Sequence, residues 1–440
     1  MRTFFRLTVP WRGLAWLLLT TLFGPPAWAD EVQRWNETAV KAAATNGQHP
    51  TQLTRTIAMA QGAVHDALNA IRPRYAAYYF EGSAAPGADP QAAVAAASRT
   101  VLVAVIPAFG APAQRSEALA QVEEAYRAAL ASVPDGAAKQ DGVAVGQAAA
   151  EAMLLLRRDD GATRSAPYTP SAGPGRWRPH PNPDPPNPPI RDEKLAPGFG
   201  AATLPGWGNV TPFTLLSSAQ YWLPGPPSLT SALYTRDFNE VKALGGQVST
   251  QRTAEQTEIA RFWYEGPPAW YRLTRAAGDA RGLDQLGNAR ALAVVSLAMA
   301  DAFIAGFKIR YVYDSWRPVT AIREAADDGN DATTADVSWN SLQNTPAVSD
   351  YPSTQSVFSG AAAAALISVI GTDQIALTMT SGPPFANIKR SFTSVSQAAR
   401  ESADSRVYAG IHFRSACEDG LVLGRKIGQR AAISYLQPLR

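Results

Sequence analysis

Three short segments near the C-terminus hold the residues whose types and spacing could do chemistry. They are residues 310–318 (RYVYDSWRP), 351–356 (YPSTQS) and 405–412 (SRVYAGIH). Together they bring the arginines Arg310, Arg317 and Arg406, a serine at a helix start, Ser353, and one histidine, His412. Guanidinium forks match tetrahedral oxyanions, and helix-start amides add the positive end of a dipole. A histidine beside such a cradle can attack phosphorus or ligate a metal. The set reads as a site for phosphate or for a metal oxyanion of the same shape.

Each residue taken alone has an ordinary structural role. Trp-Arg-Pro at 316–318 is usual surface packing, and Arg310 could snorkel from a helix end. Arg406 could be solvated, and Ser353 could be a plain N-cap. A lone histidine on an apolar helix is more often a core residue. Their weight lies in the five occurring together.

The elements that must position them are helical. Leu53, Ile57, Ala60, Val64 and Leu68 share a face over 51–72. Alanine-rich helices are expected at 92–106, 115–133 and 138–158, and further helices at 230–245, 253–265 and 284–310. Pro352 suits a first helical turn, so a helix should run from there through VFSGAAAAALISVI. Others fit 390–404 and 418–436. Strand-like alternation is scarce, and the fold class expected is all-α, built of helix bundles.

The texture changes at 164–228, which holds sixteen of the 34 prolines. Interior proline forbids long helices there. A linker is one reading. Trp177, Phe199, Trp207, Phe213, Tyr221 and Trp222 favour a segment packed over the body, walling a pocket. The expected organisation is 1–29 signal peptide, 30–163 N-terminal helical region, 164–228 proline-rich cover, and 229–440 C-terminal helical region carrying the site.

Residues 1–29 have the pattern of a secretory signal: Arg2, Arg6 and Arg12, an apolar run at 14–23, and Ala-Trp-Ala before Asp30. An uncleaved anchor is the alternative, although the apolar run is short for a bilayer. Cleavage points to export, periplasmic or secreted, with no stable membrane span left. It removes three of the charges behind the net +3 and leaves about zero, so nucleic acid is not an expected partner. The single Cys417 excludes an internal disulfide, which a chain of 440 residues with 46% hydrophobic content does not need.

The three segments resemble the signature of the vanadium-dependent haloperoxidases and type 2 phosphatidic acid phosphatases, one superfamily. Its patterns are Lys, six residues, Arg-Pro; then Pro-Ser-Gly-His; then Ser-Arg, five residues, His, three residues, Asp. RWN at 34–36, VHDALNAI at 64–71, SLAMADA at 296–302, WRPVTAIRE at 316–324, GIHF at 410–413 and GRKIG at 424–428 are similar to bacterial haloperoxidase-like members. The resemblance implies that Arg310, Arg317 and Arg406 bind oxyanion oxygens. It implies that Ser353 and the Thr354 amide hydrogen-bond the anion, and that His412 ligates vanadium or attacks phosphorus. The implied cofactor is vanadate, phosphate being able to fill the same site. The implied small partners are peroxide and halide.

The chain departs from the pattern at three places. Arg310 stands where the family has lysine, with Lys308 nearby. Gln355 replaces the acid–base histidine, and glutamine cannot exchange a proton near neutral pH. Ala416 replaces the aspartate, with Glu418 and Asp419 close in sequence. The expectation is an exported haloperoxidase-like protein of reduced or altered activity. The alternatives are an acid phosphatase with His412 as nucleophile and a non-catalytic oxyanion binder.

Overall fold

The computed structural model describes Met1, residues 30–180 and residues 202–439. The signal-like stretch, Phe199 and most of the PHPNPDPPNPP run lie outside the described residues. Among those described there are thirteen α-helices and one two-stranded antiparallel hairpin.

The centre of the molecule is α9 (Gln285–Tyr313), capped by Asp284, whose side chain accepts from Gly287 N. It is apolar on every face, and nearly all of it is buried. A helix with no polar stripe must be surrounded, and this one is. Against it pack α2 (Pro50–Ile71), α8 (Pro267–Ala280), α11 (Thr354–Ile370) and α13 (Arg414–Ser434). By length and composition α9 and the stretch Pro90–Ala108 would pass for membrane spans; in α9 those apolar residues are the protein core.

The remaining N-terminal helices, α1 (Glu31–Thr45), α3 (Pro90–Val105), α4 (Pro112–Ala131) and α5 (Ala137–Arg157), build around α2. On the other side α11 and α13 lie very close. A Cβ at Gly424 would sit 2.0 Å from Val357 O, so glycine is required for that approach. Helices α6 (Ala232–Leu244), α7 (Ala254–Phe262), α10 (Pro318–Arg323) and α12 (Val395–Tyr408) complete the fold.

Residues 164–180 and 202–228 contain no α-helix and are tied to α9. The buried Asp301 carboxylate accepts from the N–H groups of Phe213 (2.6 Å), Thr214 (2.7 Å) and Leu215 (3.0 Å) and from Thr214 Oγ1 (2.6 Å). At the helix end, left-handed Asp314 accepts from Tyr168 Oη and from Ser171 Oγ (2.6 Å). Trp177, Trp207 and Phe213 are buried, and Trp222 is exposed.

The expected helix at 390–404 is corrected. Residues Lys389–Ser394 form β2, paired with β1 (Gln374–Thr380), and α12 starts at Val395. Phe392 is buried while Ser391 and Thr393 on either side are exposed, a period of two that suits a strand. The helices α1, α8 and α10 were not expected from the sequence.

Candidate oxyanion site

Each site residue sits at the end of an element. Arg310 lies in the last turn of α9, and Arg317 is the N-cap of α10. Thr354 opens α11, and Arg406 is in the last turn of α12. His412 lies in the turn between α12 and α13, where Gly410 has φ 79° and a Cβ would meet Gly245 O at 2.1 Å. Helix ends aim side chains and unpaired amides into one space.

The arginines converge on the histidine. Arg317, fully buried, donates through Nε to Val348 O (2.6 Å) and through Nη1 to Ile411 O (2.7 Å). Its Nη1 lies 3.0 Å from His412 Nε2. Arg310 donates through Nε to Pro352 O (2.8 Å), and its Nη2 lies 3.3 Å from the same Nε2. Backbone carbonyls thus fix both guanidinium planes. Arg406 is buried beside them and lines the same cavity.

His412 Nδ1 lies 2.8 Å from Asp350 Oδ1. Asp350 is itself held by its N–H donating to Ser315 O (2.9 Å). A carboxylate at Nδ1 places the ring proton there and leaves the Nε2 lone pair facing the arginines. Burial first, then Arg317, Arg310 and Arg406, hold the histidine well below its ordinary 6.5, so it is neutral. Burial raises the Asp350 carboxyl. It pushes Arg310 and Arg406 down to about 10. Arg317 is lowered by burial and then by Arg310.

Four buried polar atoms here have no hydrogen-bond partner among the described residues: Arg317 Nη2, Arg406 Nε and Nη1, and Thr354 Oγ1. Buried donors are rarely left unpaired, and three buried guanidinium groups face a single carboxylate. Both facts fit a tetrahedral oxyanion such as vanadate or phosphate, which these guanidinium groups would hold beside His412 Nε2. Among the described residues no cluster of His, Cys, Asp and Glu could hold a simple cation. The site opens into a cavity of about 920 Å³ lined by His49, Phe307, Phe358, Arg275 and others.

The structure brings Arg310, Arg317, Thr354, Gln355, Arg406 and His412 to this cavity. Ser353 is the N-cap of α11, its Oγ accepting from Ser356 N (3.4 Å) and Ser356 Oγ (3.1 Å), and Thr354 and Gln355 line the cavity from the turn that follows it. Gln355 has its amide nitrogen committed to Trp263 O (2.9 Å) and Ser402 Oγ (3.3 Å). Lys308 reaches Asn209 Oδ1 (3.2 Å), Glu418 is exposed, and Asp419 accepts from Tyr351 Oη (2.5 Å). Lys308 does not line the cavity beside Arg310, and the carboxylate at His412 Nδ1 is Asp350 rather than Glu418 or Asp419. Sequence reasoning missed Asp350 because 62 residues separate it from His412.

A family model described as the VCPO second helical-bundle domain matches residues 290–439. Another, described as the vanadium chloroperoxidase N-terminal domain, matches residues 28–191. Vanadium chloroperoxidase of Curvularia inaequalis is 27% identical over 265 residues, 49% of this chain and 41% of that protein. The chain therefore spans less than half the length of that curated relative. The crystal structure of a bacterial vanadium-dependent iodoperoxidase superposes with a TM-score of 0.76 at 24% identity, over 93% of this chain and 97% of the other. A holo-type bacterial vanadium-dependent chloroperoxidase gives 0.69 at 18% identity, over 90% and 95%. These structural likenesses establish the shared helical fold. With both domain models matched in order along most of its length, the chain belongs to the vanadium haloperoxidase family.

Proposed function

We propose that this protein binds vanadate in the Arg310–Arg317–Arg406 cradle and carries out peroxide-dependent halide oxidation. The observation that carries the reading is the set of unpaired N–H groups on Arg317 and Arg406 beside the His412 Nε2 lone pair. The arginines neutralise the oxyanion, Thr354 Oγ1 and the first-turn amides of α11 hydrogen-bond it, and His412 Nε2 ligates it. When bound, vanadate supplies the Lewis acidity that activates peroxide. Asp350 holds the Nδ1 proton and so keeps Nε2 free to donate its lone pair.

In the overall reaction halide, hydrogen peroxide and one proton give hypohalous acid and water. A proton is consumed, and the Gln355 amide cannot deliver one. The activity is therefore reduced relative to a site with an acid–base histidine. The signal-like pattern of residues 1–29 supports export to the periplasm or beyond.

The experiment is calorimetry with vanadate, followed by bromide and iodide oxidation by the loaded protein. Hydrolysis of an aryl phosphate by the vanadate-free protein would instead favour a phosphatase with His412 as nucleophile. Binding with neither activity would favour a non-catalytic oxyanion binder.

A further inference from the structure

His49 stands at the N-terminus of α2 and lines the same cavity as His412. Its role as helix cap is clear. Nδ1 accepts from Thr51 N (3.3 Å) and lies 3.0 Å from Thr51 Oγ1, while the His49 N–H donates to Gln52 Oε1 (3.0 Å). The Thr51 N–H donating to Nδ1 leaves the ring proton on Nε2. Nε2–H has no partner among the described residues. The ring meets Phe307 edge-on at 6.2 Å, and the Arg310 guanidinium lies 5.9 Å from that same phenyl ring.

We infer that His49 is a second anion-contacting histidine, a neutral imidazole fixed in one tautomer whose Nε2–H donates to a small anion in the cavity. This rests on the proposed function above. Two sources supply such an acceptor: a halide beside the cradle, or an outward oxygen of the oxyanion within it.

The surroundings favour a neutral donor over a proton carrier. A protonated ring would need Nδ1–H against the Thr51 N–H and would sit at the positive end of a helix. Burial and then Arg310 lower its pKa to about 4. Lys41 and Glu37 of α1, Arg272 and Arg275 of α8, and Glu265 line the same cavity. A neutral imidazole at a helix N-terminus is a known way to present a fixed donor to a ligand. Sequence alone lends His49 no prominence, because it lies 261 residues before Arg310 and in no motif segment.

The test uses the full mature chain labelled with 15N-histidine. Long-range NMR correlations should show His49 with pyridine-type Nδ1 and protonated Nε2 from pH 8 to 5. The Nε2–H resonance should shift on adding inorganic phosphate, or on adding bromide to the phosphate-loaded protein; which of the two moves it identifies the source. An ordinary titration near 6.5, the opposite tautomer, or no shift with either anion overturns the inference.

The second arm is His49→Asn, whose carboxamide oxygen still caps Thr51 N but whose side chain is too short to replace the Nε2–H donor. Removing a hydrogen bond to a charged acceptor should raise the bromide KM, or the phosphate Kd, at least about tenfold. If His49 only caps the helix, both constants stay at wild-type values, and the inference fails. Phosphate calorimetry on wild type and Arg406→Ala separates the two failures. No Arg406-dependent binding overturns the proposed function and this inference together; Arg406-dependent binding with a silent His49 overturns this inference alone.

Discussion

Asp350 and His412, on separate loops and 62 residues apart, meet carboxylate to ring at 2.8 Å, and this pair orients the candidate ligand atom. It supplies from a loop what the family pattern places one helical turn after the histidine, at Ala416.

Asp350→Ala should therefore weaken vanadate or phosphate binding about 10- to 100-fold, the usual cost of losing an outer partner of a ligating histidine. Ala416→Asp should not help. Ala416 is fully buried and its carbonyl accepts from Ser353 N (2.9 Å), so a second carboxylate there is buried without a partner. Calorimetry and thermal unfolding read both. An Ala416→Asp protein that binds more tightly at unchanged stability would contradict the assignment.

Arg406→Ala should cost about 1.5–3 kcal/mol of anion affinity, the worth of hydrogen bonds to a charged group. Its Nε and Nη1 have no partner among the described residues, so removal costs the fold little. Arg317→Ala should lose comparable affinity and also stability, because Arg317 bonds two backbone carbonyls. Isothermal titration with phosphate checks both, and equal affinity in all three proteins would refute the cradle.

Gln355→His should raise bromide oxidation by the vanadate-loaded protein by up to about 10²-fold, since general acid–base groups typically contribute 10²–10⁴. The gain requires the new ring to turn from Trp263 and Ser402 toward the cavity. Strong native activity that falls in Gln355→His would show that protons travel another way.

The buried histidines should weaken the fold in acid. His49 is held down to about 4 and His412 well below 6.5. Between pH 6.5 and about 4 the unfolded chain takes up protons that the native histidines refuse. Their contribution is full above 6.5 and is lost as pH falls, by about 1.4 kcal/mol per pH unit for each histidine. Asp350 acts oppositely: with its carboxyl raised to about 7 from 3.8, its contribution is full below 3.8 and lost as pH rises through 7. The carboxyls of Asp30, Glu31, Asp301 and Asp419, also raised by burial, act with Asp350. The histidine share is therefore read as a difference: urea midpoints from pH 8 to 4 should fall more steeply with acid in wild type than in His49→Asn, and identical slopes would contradict this.

Asp301→Ala should destabilise the protein by about 3 kcal/mol, since four donors lose one buried anionic acceptor. Hydrogen exchange should rise first at residues 213–215. Uniform exchange across the chain would show that the segment is held elsewhere.

Much of this was legible because its physics is local. Apolar spacing marked α2 and α9, and Pro352 marked the start of α11 within two residues. That margin matters for which side chains face the cavity, since one residue turns a helical side chain by about 100°. Helix α8, which no expected helix covered, opens on Pro267-Pro268, and proline is welcome in a first turn. The β1–β2 hairpin hid because its pairing is tertiary. Asp350 and His49 hid for the same reason: nothing near them in sequence says what they face.

The position of α9 also bears on how the chain comes to be folded. The inner face of α2 ends at Ile71, yet the helix that covers it begins at Gln285. During synthesis the N-terminal helices must wait for more than two hundred further residues before their core can close. Loop-closure entropy and the late arrival of that partner make this a slow, non-local assembly. Until α9 has been made, the N-terminal helices stay open on that side, and a holding chaperone finds exposed apolar surface to grip.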